Sequence, residues 1–365
     1  MLKLSTILQH LEELAPPSLQ ESYDNAGLLT GSPDMDITGA IVCLDSTEAV
    51  LDEAIAQGCN LVIAHHPIVF SGLKRLTGRN YIERTIIKAI RHNIAIYAIH
   101  TNLDNVREGV NARFAGKLGL QNTRILQPQK GKLRKLVTFV PHAQAAQVRE
   151  ALFQAGAGNI GNYSECSFNS TGEGTFKGGK DTQPFAGQAE ISHTEPETRI
   201  ETIFPNWKEQ KVMQALRQSH PYEEIAYDIY TIDNQYDNIG AGLIGELTES
   251  MHTEIFLDHL KKSMKAPVVR HTALVKPHIK TVAICGGSGS FLLNDAIRQQ
   301  ADIFITGDFK YHQFFDADGK IIIADIGHFE SEQFTIDLLT DYIRQKFTTF
   351  AVRFTETNTN PIYYR

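Results

Sequence analysis

The sequence predicts an α/β protein. Its core is a duplicated βαβ-type arrangement of mixed or parallel sheets, interrupted by a ferredoxin-like α+β insert. Three observations predict this. Short apolar runs alternate with helical periodicity at both ends of the 365-residue chain. Residues 43–66 fall on residues 285–308 without a gap when one copy is shifted onto the other. The segment between follows a different order, β-α-ββ-α-β. The layout that follows is 1–129 for the first half of the core, 130–235 for the insert and 236–365 for the second half.

The elements follow in order. LSTILQHLEEL (4–14) has helical spacing. GAIVCLD (39–45) is a buried-strand run, and TEAVLDEAIAQG after it is helical. NLVIAHHP (60–67) is a second apolar strand, closed by histidines and a proline. YIERTIIKAIRHN is a helix, IAIYAIH (94–100) a strand and REGVNARFAGKLG a helix. Apolar strands of this length separated by helices indicate parallel pairing. The C-terminal third repeats the rhythm: helix 252–264, strands 280–287, 301–308 and 320–328, a long amphipathic helix in SEQFTIDLLTDYIRQKF and a last strand in FAVRFTET.

The shifted copies share Cys43/Cys285, Ser46/Ser288, Leu51/Leu293, Ala54/Ala296, Ile55/Ile297, Gln57/Gln299 and Ile63/Ile305. Apolar spacing common to any βαβ unit is the competing explanation, but the element lengths match as well. Duplication would make the strand ends at His65/His66 and Gly307/Asp308 equivalent. The insert opens with KLVTFVP and a helix. A Gly/Ser/Thr/Asn-rich stretch follows that fits a long hairpin or a mobile loop, then a strand, a helix and EEIAYDIYTI. Trp207 and the aromatics of PYEEIAYDIY are expected in the insert's core.

Composition narrows the function. The 35 Lys and Arg against 42 Asp and Glu leave a net charge of −7, which argues against electrostatically driven nucleic-acid binding. No apolar run approaches the ~18 residues of a membrane span, and the N-terminal stretch has no continuous apolar core of a signal peptide. The four cysteines, Cys43, Cys59, Cys166 and Cys285, form no CxxC pair. The expectation is a cytoplasmic protein with reduced, mostly buried thiols and no membrane partner.

The chemistry sits at strand ends, where open α/β sheets bind ligands. His65 and His66 lie where an apolar strand breaks at Pro67. Neighbours on a regular strand face opposite ways, so both can reach one site only at such a break. A hydrogen-bonded structural pair is the competing reading. Asp104 follows the next strand in HTNLD, and His328 and Glu332 are spaced i, i+4 in GHFESE, on one face if a helix begins there. Three imidazoles and two carboxylates suit zinc, iron(II), manganese or cobalt better than calcium. Five side chains exceed one open tetrahedral site, but they fit two ions sharing a carboxylate and a water. Such a pair can lower a bound water's pKa toward ~7. Asp24 and Asn25 lie in a loop expected to approach the site, or form an Asx turn. His100 either contacts the site or caps its strand. Asp308 aligns with His66 in the shifted copy, and His312 is a candidate acid or base. GGSG at 286–289 is a weak candidate for a phosphate cradle.

At YDNAGLLTG, VIAHHPIVF, HTNLD, GAGLIGEL, CGGSGSF, TGDFKYH and IGHFESE the sequence resembles the NIF-three-like dinuclear-metal proteins, also known as GTP cyclohydrolase I type 2 homologues. The resemblance spans both ends of the chain. It implies that His65, His66, Asp104, His328 and Glu332 bind two divalent metal ions. It also implies a toroidal homohexamer with its metal sites facing the interior. The 130–235 region resembles the PII/CutA-like insert of some members, through PHAQAAQVREALFQAGAGNIGNY and HPYEEIAYDIY. Such an insert would cap the hexamer's opening or sense a ligand.

Two functions are consistent with these residues. One is a metal-dependent hydrolase acting on a nucleotide or related small-molecule substrate through an activated water, with His312, Asp308 and His100 as candidate catalytic groups. The family name would make the electrophile C8 of a guanine ring, although no guanine pocket is legible here. The other is a non-catalytic hexameric scaffold or regulator. Exchangeable water beside the metals and a pocket of about 300–1,000 Å³ would favour the enzyme.

Overall fold

The structure, a computed structural model, describes residues 2–365. Its contacts divide the chain into two compact units: Met1–Pro128 with Asn238–Arg365, and Gln129–Asp237.

The first unit is built on two mixed sheets. One has the strand order Val352–Phe354, Ala40–Asp45, Leu61–His66, Ala95–Ala98, Gly27–Thr30. The first four run parallel, and Gly27–Thr30 closes the edge antiparallel. These are the apolar runs of the sequence. Ile41, Val42, Val62, Ile63 and Ile96 are fully buried, as expected of parallel strands covered on both faces. Helix Glu48–Ala56 starts at Thr47, whose hydroxyl accepts from Val50 N–H at 3.3 Å. Helix Tyr81–Arg91 starts at Asn80, whose side chain accepts from Glu83 N–H at 2.8 Å.

The other sheet has the order Arg270–His271, Ile322–Asp325, Ile303–Gly307, His278–Ser288, Tyr236–His252, Gln121–Gln129. Its central pairs, His278–Ser288 with Ile303–Gly307 and Ile303–Gly307 with Ile322–Asp325, are parallel. The pairs of Arg270–His271 and Tyr236–His252 are antiparallel. Separate apolar clusters form around Ile284, Ile303 and Ile305 and around Ala283, Phe304 and Ile323. Alternate residues of the same strands thus face opposite cores. Each sheet takes a strand from the far end of the sequence: Val352–Phe354 joins the first, and Gln121–Gln129 the second.

The second unit contains strand Leu133–Pro141, helix Ala145–Gln154, strands Phe168–Lys177 and Ser192–Pro205, helix Glu209–Ser219 and strand Tyr227–Ile232. The fourth strand pairs with the first, the first with the third and the third with the second, all antiparallel. This is the ferredoxin-like arrangement. The Gly-rich stretch forms the edge strand Phe168–Lys177. Two expectations fail here. Tyr227 and Tyr230 lie 41% and 51% exposed, because they belong to a strand at the sheet's other edge. Trp207 is only half-buried, its ring 5.8 Å from that of Tyr236. The core consists instead of aliphatics such as Leu136, Val148, Leu152, Ile200 and Leu216, with Phe204.

Cys43, Cys59 and Cys285 are buried and free, and Cys166 is free and half-buried. Among the described residues, no helix is long and apolar enough to cross a membrane.

Candidate metal centre

Parallel strands bring their C-terminal ends to one rim of the sheet. His66 stands beside Asp45 in register at the rim of the first sheet. His65 is completely buried. His328 and Glu332 lie on the short helix His328–Glu332, which follows strand Ile322–Asp325 of the second sheet. Asp104 ends the helical turn Thr101–Asp104, after strand Ala95–Ala98.

The histidines share one hydrogen-bonding plan. His65 Nδ1 lies 2.9 Å from the Ile99 carbonyl oxygen. His66 Nδ1 lies 2.9 Å from Asp45 Oδ1. His100 Nδ1 lies 2.8 Å from Asp24 Oδ1, and His328 Nδ1 lies 2.7 Å from Asp308 Oδ2. A carbonyl oxygen accepts and cannot donate, so His65 Nδ1 carries the proton and Nε2 its lone pair. Carboxylates fix the other rings in the same sense. Tying one ring nitrogen outward while the other is offered inward is how proteins prepare histidine for a metal.

The inward atoms converge on Glu332. Its Oε2 lies 3.0 Å from His66 Nε2 and 3.1 Å from His328 Nε2. Its Oε1 lies 3.7 Å from His65 Nε2, which is 3.6 Å from Asp104 Oδ1. Three sets of ligand atoms lie within 4.8 Å of one another: His65, Asp104 and Glu332; His66, His328 and Glu332; and His65, His66 and His100. Adjacent ligands on a tetrahedral ion 2.0–2.1 Å away would stand roughly 3.3–3.4 Å apart, close to these separations. His65 Nε2 and Asp104 Oδ1 are buried without any hydrogen-bond partner. Unpartnered buried polar atoms are costly, and a cation between them removes that cost. The donor set therefore fits divalent metal.

Glycines make the room. Gly287 has φ +64°, and a Cβ there would collide with Glu332 Oε1. The amides of Gly286, Gly287 and Gly289 donate to Asn111 Oδ1, Ser331 Oγ and Thr306 Oγ1, each at 2.9 Å. These three amides are committed to the protein's own side chains, so the expectation of a phosphate cradle at 286–289 fails.

Burial and neighbouring charge divide the carboxylates. Burial raises the Asp104 carboxyl, and the Glu332 charge adds to it, bringing it to about 7 against the pull of His100, His66 and His328. Burial also opposes ionisation of Glu332, but His328 and His65 outweigh it and hold Glu332 well below the usual range. Burial would depress the imidazoles of both His66 and His328. Asp45 and Glu332 nevertheless raise His66 to about 10, and Glu332 and Asp308 raise His328 to about 11. The metal-free centre therefore holds protons where a metal would bind. Loading near pH 7 should release between two and three protons per chain, from His66, His328 and a partly protonated Asp104, and metal affinity should rise with pH. Calorimetry in buffers of different ionisation enthalpy measures this release; a buffer-independent heat would contradict it. The sign for stability follows from the same raised values. In the metal-free fold, both histidines contribute stability below their ordinary pKa near 6.5, and lose it as pH rises through about 10 to 11.

The remaining candidates fall in different places. Asp24 takes hydrogen bonds from His100 and from the Thr101 amide and hydroxyl. These outweigh burial and bring its carboxyl down to about 2. Asn25 donates instead to the Val69 carbonyl at 2.6 Å. Asp308 orients His328. His312 is not brought into the cluster: it is exposed in the 3-10 segment Tyr311–Ala317, its ring 5.2 Å from Tyr311 and 6.4 Å from Phe315.

Three contributors escape sequence reading. Asp45 orients His66, and its only signal was that two adjacent parallel strands both end in polar residues. Thr359 Oγ1 donates to Asp45 Oδ2 at 3.0 Å, and Asn360 Nδ2 donates to Glu330 Oε1 at 3.1 Å. The C-terminal segment thus braces both sides of the centre. Asp45→Asn should weaken metal binding by about 10–100-fold, the usual effect of losing a ligand's orienting partner. Thr359→Val should weaken it less, with Thr359→Ser retaining wild-type affinity. Chelator competition separates these outcomes.

Fold and site together define an α/β protein with a histidine–carboxylate centre fitted to divalent metal. The chain belongs to the DUF34/NIF3 (NGG1p interacting factor 3) family, which matches residues 2–361. It is 44% identical over 326 residues to a Halalkalibacterium halodurans protein named GTP cyclohydrolase 1 type 2 homolog, covering 88% of this chain and 87% of that one. It is 37% identical over 368 residues to the Bacillus subtilis protein of the same name, covering 98% and 97%. Among solved structures it is similar to a Bacillus cereus protein related to NIF3, with a TM-score of 0.88 and 36% identity over 100% and 99% of the two chains. A Staphylococcus aureus structure gives a TM-score of 0.78 at 31% identity, over 100% and 99%.

Proposed function

We propose that this protein binds two divalent metal ions and acts as a metal-dependent hydrolase on a nucleotide or related small molecule. The observation that carries the proposal is the convergence of two ligand clusters on Glu332, with His65 Nε2 and Asp104 Oδ1 buried and unpartnered. His65 and Asp104 would hold one ion and His66 and His328 the other, with Glu332 within reach of both sets. Zinc, iron and manganese suit these ligands. When bound, such a pair acidifies water and polarises an electrophile.

The chain's own residues set the rest. Asp45, Asp308 and Ile99 keep three imidazoles turned toward the ions. Asp24 fixes the proton of His100 on Nδ1, leaving Nε2 to receive one from substrate or water. The His328 side chain is 34% exposed, against 3% for Glu332. This exposure leaves an approach for substrate, and it favours an enzyme over a scaffold with saturated, buried ligation. GTP is the first substrate class to test, because relatives carry that name. Equivalence of the two strand-end regions, from an ancient duplication, and a homohexameric, cytoplasmic assembly complete the proposal.

The test is turnover of GTP and of simple phosphoesters by protein reconstituted with zinc, iron or manganese. Glu332→Ala is the control. Metal-dependent turnover lost in the variant supports the reading. Turnover that persists in the variant, or none with any metal, contradicts it.

A further inference from the structure

The inserted unit contains a cavity of about 790 Å³ that the metal centre does not use. Its volume lies within the range of about 300–1,000 Å³ typical of small-molecule sites. One wall is the antiparallel pair Phe168–Lys177 and Ser192–Pro205. The loop after Lys177 and the segment around Tyr222 supply the others.

At the wall lies Glu197, only 6% exposed. Its Oε1 accepts the Tyr222 hydroxyl at 2.7 Å, and it forms no ion pair among the described residues. A Cβ on Gly174 would collide with its Oε2, so the glycine-rich strand leaves the space this carboxylate occupies. Buried carboxylates are normally paired with a cation; this one has a phenol and an open cavity.

The surrounding surface is aromatic. The Phe176 and Phe185 rings stand 6.0 Å and 6.2 Å from the Tyr222 ring, tilted 58° and 52° to it, and Phe139 lines the same space. Aromatic faces around a carboxylate attract organic cations through ring quadrupole and charge together. Acidic side chains on the wall outnumber basic ones four to two, and one of the basic pair, Arg199, is held by Glu201 at 2.8 Å.

We propose that this cavity binds a small organic monocation, an ammonium group on an apolar or aromatic body. Glu197 supplies the counter-charge, and Phe176, Phe185 and Tyr222 supply the walls. The site is independent of the metal centre and of the hydrolase reading.

The test is calorimetric titration of the full chain with phenethylammonium chloride, with 2-phenylethanol as the neutral match of similar shape. The expected result is saturable binding of one phenethylammonium per chain and at least tenfold weaker binding of the alcohol. Glu197→Gln, which keeps an acceptor for Tyr222, should weaken the cation at least tenfold. Should that variant fail to fold, Tyr222→Phe carries the test, with severalfold weaker binding expected. No saturable binding to the wild-type chain overturns the proposal. So does an alcohol that binds as tightly as the cation, or a folded variant with unchanged affinity.

Discussion

Glu332→Ala should strip the centre of metal. Its two oxygens face different partners, Oε2 toward His66 and His328 and Oε1 toward His65. No other side chain of the centre belongs to both the His65/Asp104 and the His66/His328 clusters. Removing an orienting partner alone costs about 10–100-fold in metal affinity, so removing the shared ligand should exceed 100-fold at both positions. The variant should also bring Asp104 down from about 7, because the Glu332 charge is a main cause of its rise after burial. The fold should survive. The strands around Glu332 are held by the apolar cores of Ile284, Ile303 and Ile305, not by the ligands. Elemental analysis after dialysis against a weak chelator reads the result, with circular dichroism as the folding control. Wild-type stoichiometry in a folded variant would contradict the assignment.

His65→Ala and His328→Ala should separate the two positions. His65 is fully buried beside Asp104, whereas His328 stands at the rim between Glu332 and Asp308. Each belongs to one cluster with Glu332 and not to the other. Each variant should therefore lose about half of the metal, with affinity at the affected position reduced by at least 100-fold. The deep position should empty in His65→Ala and the rim position in His328→Ala. The stability effects should differ as well. His65→Ala leaves a cavity in the interior and removes the hydrogen bond to the Ile99 carbonyl, which costs roughly 2–4 kcal/mol. His328→Ala acts at a partly exposed site and should cost less. Metal titrations and denaturant melts of both variants check the pattern. Loss of all metal in both would mean one cooperative site in place of two.

Much of this was legible because strand ends carry their own chemistry. LVIAHH is an apolar run that stops at two imidazoles, and IIIADIGH ends where a helix begins; both were readable as strands terminating at a site. The i, i+4 spacing of His328 and Glu332 gave their common face directly. What failed to show was whatever depends on contacts between distant segments. Gln121–Gln129 is polar, with little beyond Ile125 and Leu126 buried, so its place at a sheet edge leaves no apolar signature. Asp45 and Thr359 meet across 314 residues, which no local pattern encodes. His312 was a candidate by residue type, but nothing in TGDFKYH showed that its turn would point it at Tyr311 and Phe315. The insert's tyrosines resemble core residues by type, yet an edge strand exposes two of them. Tyr222 instead faces a cavity.

The measurement that bears most directly on the centre is a crystal structure of the protein reconstituted with zinc, with anomalous scattering collected at the metal edge. Two peaks per chain are expected, one among His65, Asp104 and Glu332, the other among His66, His328 and Glu332. Peaks that avoid these side chains, or a single ion bound without Glu332, would contradict the account.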